Sequence, residues 1–340
     1  MLMETSQASA LPLVDTFGRS VSYLRLSVTD RCDLRCVYCM PERMIFMQRQ
    51  HLLSLEELER VARAFIQLGV TKIRITGGEP LVRKNVMTLF NNLSPSLRDG
   101  SLKELTLTTN ATRLADHAAA LAEAGVRRVN VSLDTLDPRR FTELTRGGSL
   151  TTVLKGIEAA RLVGLAIKIN TVALKGVTEK EVDQLIRFAH GDGMDLTLIE
   201  TMPLGETGED RLAQYLPLDS LRRQIEERWT LSPVTLRTGG PARYARIEET
   251  GGLVGFITPL THNFCEGCNR VRVTAAGLLH TCLGQEDAAD LKDVMRASQD
   301  DRMLVDGIRA AIQSKPRGHD FVLDRMSAPT IARHMSNTGG

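Results

Sequence analysis

The chain carries six cysteines, and they stand in two groups of three. Cys32, Cys36 and Cys39 form C-x-x-x-C-x-x-C. Cys265 and Cys268 form C-x-x-C, and Cys282 follows after a gap. Three thiolates are one short of the four ligands that structural zinc takes. They suit a cubane iron–sulfur cluster, in which three protein sulfurs leave one iron open to a substrate or cofactor. Two triads imply two such open sites in one protein.

Simpler chemistries compete with this one. A disulfide framework belongs to short secreted chains. This chain has 340 residues, and Met1 to Leu13 shows no positive run followed by an apolar core, so no signal peptide is legible. Zinc is the stronger competitor. The first triad contains no histidine, but His262 and His280 lie close to the second, so a Cys3His zinc site stays open there.

The charge balance narrows the partners. There are 43 basic and 41 acidic residues, a formal net charge of +2, which gives no case for nucleic-acid or membrane-surface binding. The 4% aromatic content also argues against base-stacking platforms. No apolar stretch is long enough to cross a bilayer. An anionic ligand would therefore need a local cluster of Arg and Lys. Unpaired thiols point to a reducing compartment, hence the cytoplasm.

The elements that must position the cysteines alternate. Residues 1–19 are polar and aperiodic, and are expected to form a flexible N-terminal arm. Strands are expected at residues 23–29, 72–76, 105–109, 128–133, 166–172 and 196–200. Between them the helical pattern runs over 55–68, 115–124, 152–163 and 179–190, three of these closed by Gly69, Gly125 and Gly164. Six strands in a βα rhythm predict an α/β fold, a partial (βα)6 barrel over residues 20–234, short of the eight repeats of a closed one. Residues 203–216 look like a long loop and 218–229 like a helix. Residues 235–340 are expected to form a C-terminal α+β appendage carrying the second triad and ending in Gly339-Gly340.

The first triad follows the first strand directly, where loops of a parallel barrel form the catalytic rim. Its spacing, with Tyr38 just before the third cysteine, resembles the signature of the radical S-adenosylmethionine superfamily. Thr76-Gly-Gly-Glu-Pro80, after the second strand, is similar to that superfamily's glycine motif. The resemblance implies a 4Fe–4S cluster whose open iron binds S-adenosylmethionine. Reductive cleavage then gives a 5′-deoxyadenosyl radical, with Tyr38, Gly78, Ser132 and Met202 at the S-adenosylmethionine site.

The second triad, within Asn263-Phe-Cys-Glu-Gly-Cys-Asn-Arg-Val-Arg-Val273 and Gly277-Leu-Leu-His-Thr-Cys282, resembles the C-terminal cluster motif of the GTP 3′,8-cyclase family. This likeness runs from about Tyr23 to Gly340. It implies a second 4Fe–4S cluster that docks guanine, and substrate contacts at Arg25, Arg74, Thr108, Lys168, Arg270, Val271 and Arg272, with Arg270 and Arg272 also catalytic. Arg suits phosphate because its planar fork donates two parallel hydrogen bonds. Arg25, Arg74 and Lys168 interrupt apolar strand patterns and are expected to face the barrel lumen. The resemblance further implies a homodimer, a flavodoxin- or ferredoxin-type electron donor and a downstream cyclic pyranopterin synthase. Two positions depart from the family's usual pattern: Thr197 stands where Arg is frequent, and Asp33 where Asn is usual. Another radical S-adenosylmethionine enzyme with an auxiliary cluster, a paralogue or a peptide modifier, is the alternative.

Overall fold

In the computed structural model, residues 12–298, 300–321 and 331–339 are described. Strand β1 (Tyr23–Ser27) leads through α1 (Leu55–Gln67), β2 (Lys72–Thr76), α2 (Val86–Arg98), β3 (Glu104–Thr109) and α3 (Leu114–Glu123) to β4 (Arg128–Ser132). Then come α4 (Pro138–Thr145), α5 (Leu150–Leu162), β5 (Ala166–Ala173), α6 (Thr178–Gly191) and β6 (Asp195–Glu200). Beyond α7 (Arg211–Gln214) and α8 (Leu218–Glu226) lie β7 (Leu231–Pro233), β8 (Arg243–Ile247), β9 (Leu253–Ile257), β10 (Arg270–Val273), β11 (Leu278–His280) and β12 (Ala289–Asp290). The helices α9 (Leu291–Ala297), α10 (Arg302–Gln313) and α11 (Met335–Thr338) follow.

All strands belong to one sheet in the order β12-β11-β10-β1-β2-β3-β4-β5-β6-β9-β8-β7. The six expected strands are parallel neighbours in chain order. Two strands from the C-terminal third extend them: β10 pairs parallel with β1, and β9 parallel with β6. The second triad is thereby joined to the strand that precedes the first triad. Of the expected N-terminal arm, residues 1–11 lie outside the described residues. Residues 12–19 fold back so that Val14 bridges Ser20, and Asp15 is buried against Arg19.

Local signals account for the helices that pack the sheet. Helix α1 opens with a capping box: Ser54 Oγ accepts from the Glu57 N–H at 3.1 Å, and Glu57 accepts from the Ser54 N–H at 2.8 Å. It buries Leu58, Val61, Ala62 and Phe65, and the chain leaves it at Gly69, whose φ of 89° suits glycine. Helix α4 opens on Asp137, which caps Arg139 and Arg140, with Pro138 at the first helical position.

The strand faces divide sharply. Leu24, Leu26, Ile73, Ile75, Leu105, Leu107, Val129, Val131, Ile167, Ile169, Leu196 and Leu198 join the apolar core. Each such side chain contributes roughly 2 kcal/mol on burial. The alternate positions Arg25, Arg74, Thr106, Asn130, Lys168 and Thr197 are buried as well, on the opposite face. A sheet that hides cations on one face has a polar interior to fill.

Candidate functional site

The register of the strands gathers those polar residues into rows. Arg25 pairs with Arg272 on one side and Arg74 on the other, so three guanidiniums stand abreast on β10, β1 and β2. Two residues earlier, Tyr23 lies between Arg270 and Lys72. Further along the sheet, Thr108, Asn130 and Lys168 are successive partners on β3, β4 and β5. Like charges placed directly opposite repel, so the arginine row calls for an anion.

Burial sharpens that demand. It depresses the Arg25 guanidinium to about 10, an effect the neighbouring Arg74 and Arg270 reinforce and Tyr23 opposes. Burial drives Arg272 down further, helped by Arg25 and Arg270. Burial alone would raise the Tyr23 phenol, but Arg74, Arg25, Lys72 and Arg270 outweigh it and bring the group to about 8. Among the described residues, the Tyr23 hydroxyl and the Nε atoms of Arg25 and Arg74 have no hydrogen-bond partner. Orphaned buried donors of this kind mark a place prepared for a ligand's oxygens.

This row lines a cavity of about 1100 Å³ together with Lys168, Arg270, Val271 and all three cysteines of the second triad. Lys168 Nζ donates to Tyr244 Oη at 2.5 Å, and Thr197 is also on the wall with its Oγ1 unpartnered. Around the triad, Cys268 is the thiol prepared for ionisation. Burial raises it, but Arg270 and Lys315 overcome burial and bring it to about 7. A thiol poised at that value fits a thiolate ligand to iron. His262 Nε2 meets Asp219 Oδ2 at 3.0 Å, and His280 Nδ1 meets the Asp287 carbonyl oxygen at 3.1 Å.

A second cavity, of about 1140 Å³, is lined by Cys32, Cys36 and Cys39 with Tyr38, Gly78, Ser132 and Met202. The glycine motif is built against the cysteine loop. Gly78 N–H donates to the Thr29 carbonyl at 2.9 Å and Glu79 N–H to that of Arg31 at 2.8 Å. A Cβ on Gly78 would lie 2.3 Å from the Arg31 carbonyl oxygen, so no side chain fits. Glu79, fully buried, accepts from Leu81 N–H, Thr109 Oγ1 and Asn110 N–H, at 3.0, 2.8 and 2.6 Å, and locks the motif to the end of β3. Tyr38 Oη donates to Asp134 at 2.7 Å. Burial pushes the Cys32 thiol up to about 12 and Cys39 to about 11. Burial thus opposes free thiolates at this triad, and ligation there would require a metal's charge to draw off their protons. The Leu34 N–H, 3.4 Å from Cys32 Sγ, already points a donor at that sulfur.

The two chambers share a wall of Asn170, Ile199 and Met202. Thr108, expected with the nucleotide contacts, lines the first-triad chamber instead, its Oγ1 3.5 Å from Arg74 Nη1. Asn170 went unnoticed in the sequence. The alternation of β5 that exposed Lys168 to notice also carries Asn170 on the same face. Glu200, at the end of β6, was another silent residue. Its carboxylate accepts from Thr261 Oγ1 at 2.6 Å and Leu260 N–H at 3.0 Å, fixing the loop that leads to the second triad. The C-terminal segment enters as well. Arg272 donates to the carbonyl oxygens of Thr338, at 3.2 Å, and Gly339. Gly340 lies outside the described residues.

Residues 26–189 match the Radical SAM superfamily, and residues 194–321 match Molybdenum Cofactor Synthesis C. Relatives named GTP 3′,8-cyclase align nearly end to end. That of Bradyrhizobium diazoefficiens is 60% identical over 96% of this chain and 96% of its own. That of Rhodopseudomonas palustris is 61% identical over 97% and 96%, and that of Brucella suis 58% over 97% and 96%. Among solved structures, Streptococcus suis SuiB bound to S-adenosylmethionine superposes with a TM-score of 0.61 at 20% identity, covering 93% of this chain and 77% of that one. SuiB bound to precursor peptide SuiA gives 0.62 at 19%, covering 94% and 77%. At such identity the likeness speaks for the fold alone.

Proposed function

The chain belongs to the GTP 3′,8-cyclase family of radical S-adenosylmethionine enzymes, and on that premise we propose how its two chambers divide the work. The protein converts GTP to (8S)-3′,8-cyclo-7,8-dihydroguanosine 5′-triphosphate, the first step of molybdenum cofactor biosynthesis. The observation that carries the division is the pair of cysteine triads in adjoining cavities that share Asn170, Ile199 and Met202.

Cys32, Cys36 and Cys39 would hold one 4Fe–4S cluster and Cys265, Cys268 and Cys282 a second. Bound there, the first supplies the electron that cleaves S-adenosylmethionine and the second an open iron for guanine. Gly78 lets the backbone approach the methionyl end, and Tyr38, Ser132 and Met202 complete that chamber. In the other chamber Arg25, Arg74, Lys168, Arg270 and Arg272 take the triphosphate, offering forked donors whose mutual repulsion the anion relieves. Val271 lines the same wall, and Thr108 acts from the border through Arg74. Ring closure needs C3′ of the ribose held near C8 of guanine, and a triphosphate gripped at one end with the base held at the other achieves that.

The eight adjacent parallel strands, β10 through β9, support a partial barrel. We take residues 20–234 as supplying the six central strands of that unit and residues 235–340 as the substrate-binding region, which also lends the sheet β9 and β10, with residues 1–19 leading in. A cytoplasmic homodimer served by a flavodoxin- or ferredoxin-type reductant, and feeding a cyclic pyranopterin synthase, completes the reading. Among the described residues, no helix is long and apolar enough to cross a membrane. The test is iron and sulfide per chain in anaerobic protein, with each triad replaced by alanine separately. Each replacement should remove half the iron. Loss of the first triad should abolish S-adenosylmethionine cleavage, and loss of the second should abolish GTP cyclisation alone. Full-length protein loaded with iron at both triads that forms no cyclised guanosine product would overturn the reading.

A further inference from the structure

A buried cation beside the second triad has no part in the nucleotide chamber. Lys315 follows α10 and is 2% exposed. Its Nζ donates to the Thr281 carbonyl at 2.5 Å and to the Arg270 carbonyl at 3.1 Å, and stands 3.7 Å from Cys268 Sγ. Thr281 immediately precedes Cys282, and Arg270 follows Cys268 closely. One ammonium therefore ties together both cysteine-bearing segments.

Its partners are two carbonyl oxygens and a sulfur; no carboxylate among the described residues is one of them. A buried charge persists where something anionic answers it. The nearest such group is the triad itself. Arg19 offers the contrast. It donates to the carbonyls of Cys265, Arg317 and Pro316 at 2.8, 2.8 and 2.6 Å, and is balanced by Asp15 at 2.6 Å. Arg19 thus pins the segment carrying Lys315 over the first cysteine of the triad with its charge already spent. Lys315 brings an unspent charge to the same place.

We propose that Lys315 is a positioning residue of the C-terminal cysteine site, holding the Cys268 and Cys282 segments together and supplying the positive charge against which an anionic cluster sits. This rests on the reading of that triad as an iron–sulfur site. A cation and a donor at a ligating sulfur favour the reduced, more negative form of a cluster, so Lys315 raises its reduction potential.

The test uses the full-length chain with Cys32, Cys36 and Cys39 replaced by alanine, so that bound iron reports the second triad only. Lys315→Met, Lys315→Gln and Lys315→Arg are compared with this parent by redox titration followed by electron paramagnetic resonance, and by the rate of iron loss to a chelator. Met and Gln should lower the potential and speed iron loss about tenfold, while Arg stays close to the parent. Should Lys315→Met fail to fold, Lys315→Gln, which keeps a donor for the two carbonyls, carries the comparison. A Gln variant with the parent's potential and iron retention overturns the proposal. So does an Arg variant as impaired as Gln with an equal fall in melting temperature, which would mean packing alone. A parent that binds no iron instead overturns the iron–sulfur reading, and this proposal with it.

Discussion

Arg25 and Arg272 face each other as register partners on adjacent parallel strands, both buried. Two guanidiniums in that relation weaken the ligand-free protein and strengthen its complex with an anion. Arg25→Met should therefore lower GTP affinity roughly 10- to 100-fold, the worth of a charge-assisted contact. The melting temperature of the free protein should hold or rise. Anaerobic equilibrium binding and thermal denaturation, run side by side, check both halves. A fall in stability with unchanged affinity would show that Arg25 is a structural residue.

Tyr23 should ionise near pH 8, below its ordinary value of 10, because four neighbouring cations outweigh its burial. The native state then binds fewer protons than the unfolded state between those values. The stability contributed by this group is full above pH 10 and is lost as pH falls through 8. Ultraviolet difference titration of the free protein should show one of the four tyrosines ionising early, and Tyr23→Phe should remove that step. On the proposed reading GTP should move the step upward, since phosphates seated on the same cations would offset their charge.

Gly78→Ala should abolish S-adenosylmethionine binding. The added Cβ would lie 2.3 Å from the Arg31 carbonyl oxygen, so the loop between Thr29 and Cys32 must shift. Circular dichroism should stay native while calorimetric binding disappears. Retention of wild-type affinity would mean that the loop tolerates displacement.

Thr197→Arg places a cation on the wall that carries Lys168 and Arg74. Thr197 lines the nucleotide chamber with an unpartnered hydroxyl, next to Gly255. GTP should bind several-fold more tightly to the variant, by the margin of one added phosphate contact. Unchanged affinity would indicate that Lys168, held by Tyr244, already fills the role.

Gly339→Ala should weaken the seating of the C-terminal segment. Gly339 has a φ of 74°, and a Cβ there would fall 2.1 Å from Thr76 Oγ1. Limited proteolysis should release the segment faster, and GTP cyclisation should slow with S-adenosylmethionine binding retained.

The parallel strands were legible because apolar residues alternate with single polar ones along them. Arg25, Arg74 and Lys168 were conspicuous against that background, and the structure puts all three on one cavity wall. Helix α2 was not legible: its first residue follows Asn85 at a φ of 60°, and Pro95 sits inside it. Local rules read both as breaks. Helix α4 was missed although Asp137-Pro138 is a sound start signal, because its eight residues barely complete two turns. The pairing of β10 with β1 joins residues some 250 positions apart, and no periodicity within a window can report it. For the same reason Lys315 was silent in the sequence, while its neighbours Arg270 and Cys268 were not.

Asn170, Ile199 and Met202 each line both chambers. A molecule bound in one chamber that displaces any of these three side chains would reshape the other chamber. Thermodynamic reciprocity then requires the favour, or the hindrance, to be returned in equal measure. The expected outcome is that GTP affinity measured with S-adenosylmethionine bound differs from that measured without it, and by the same factor in the reverse order.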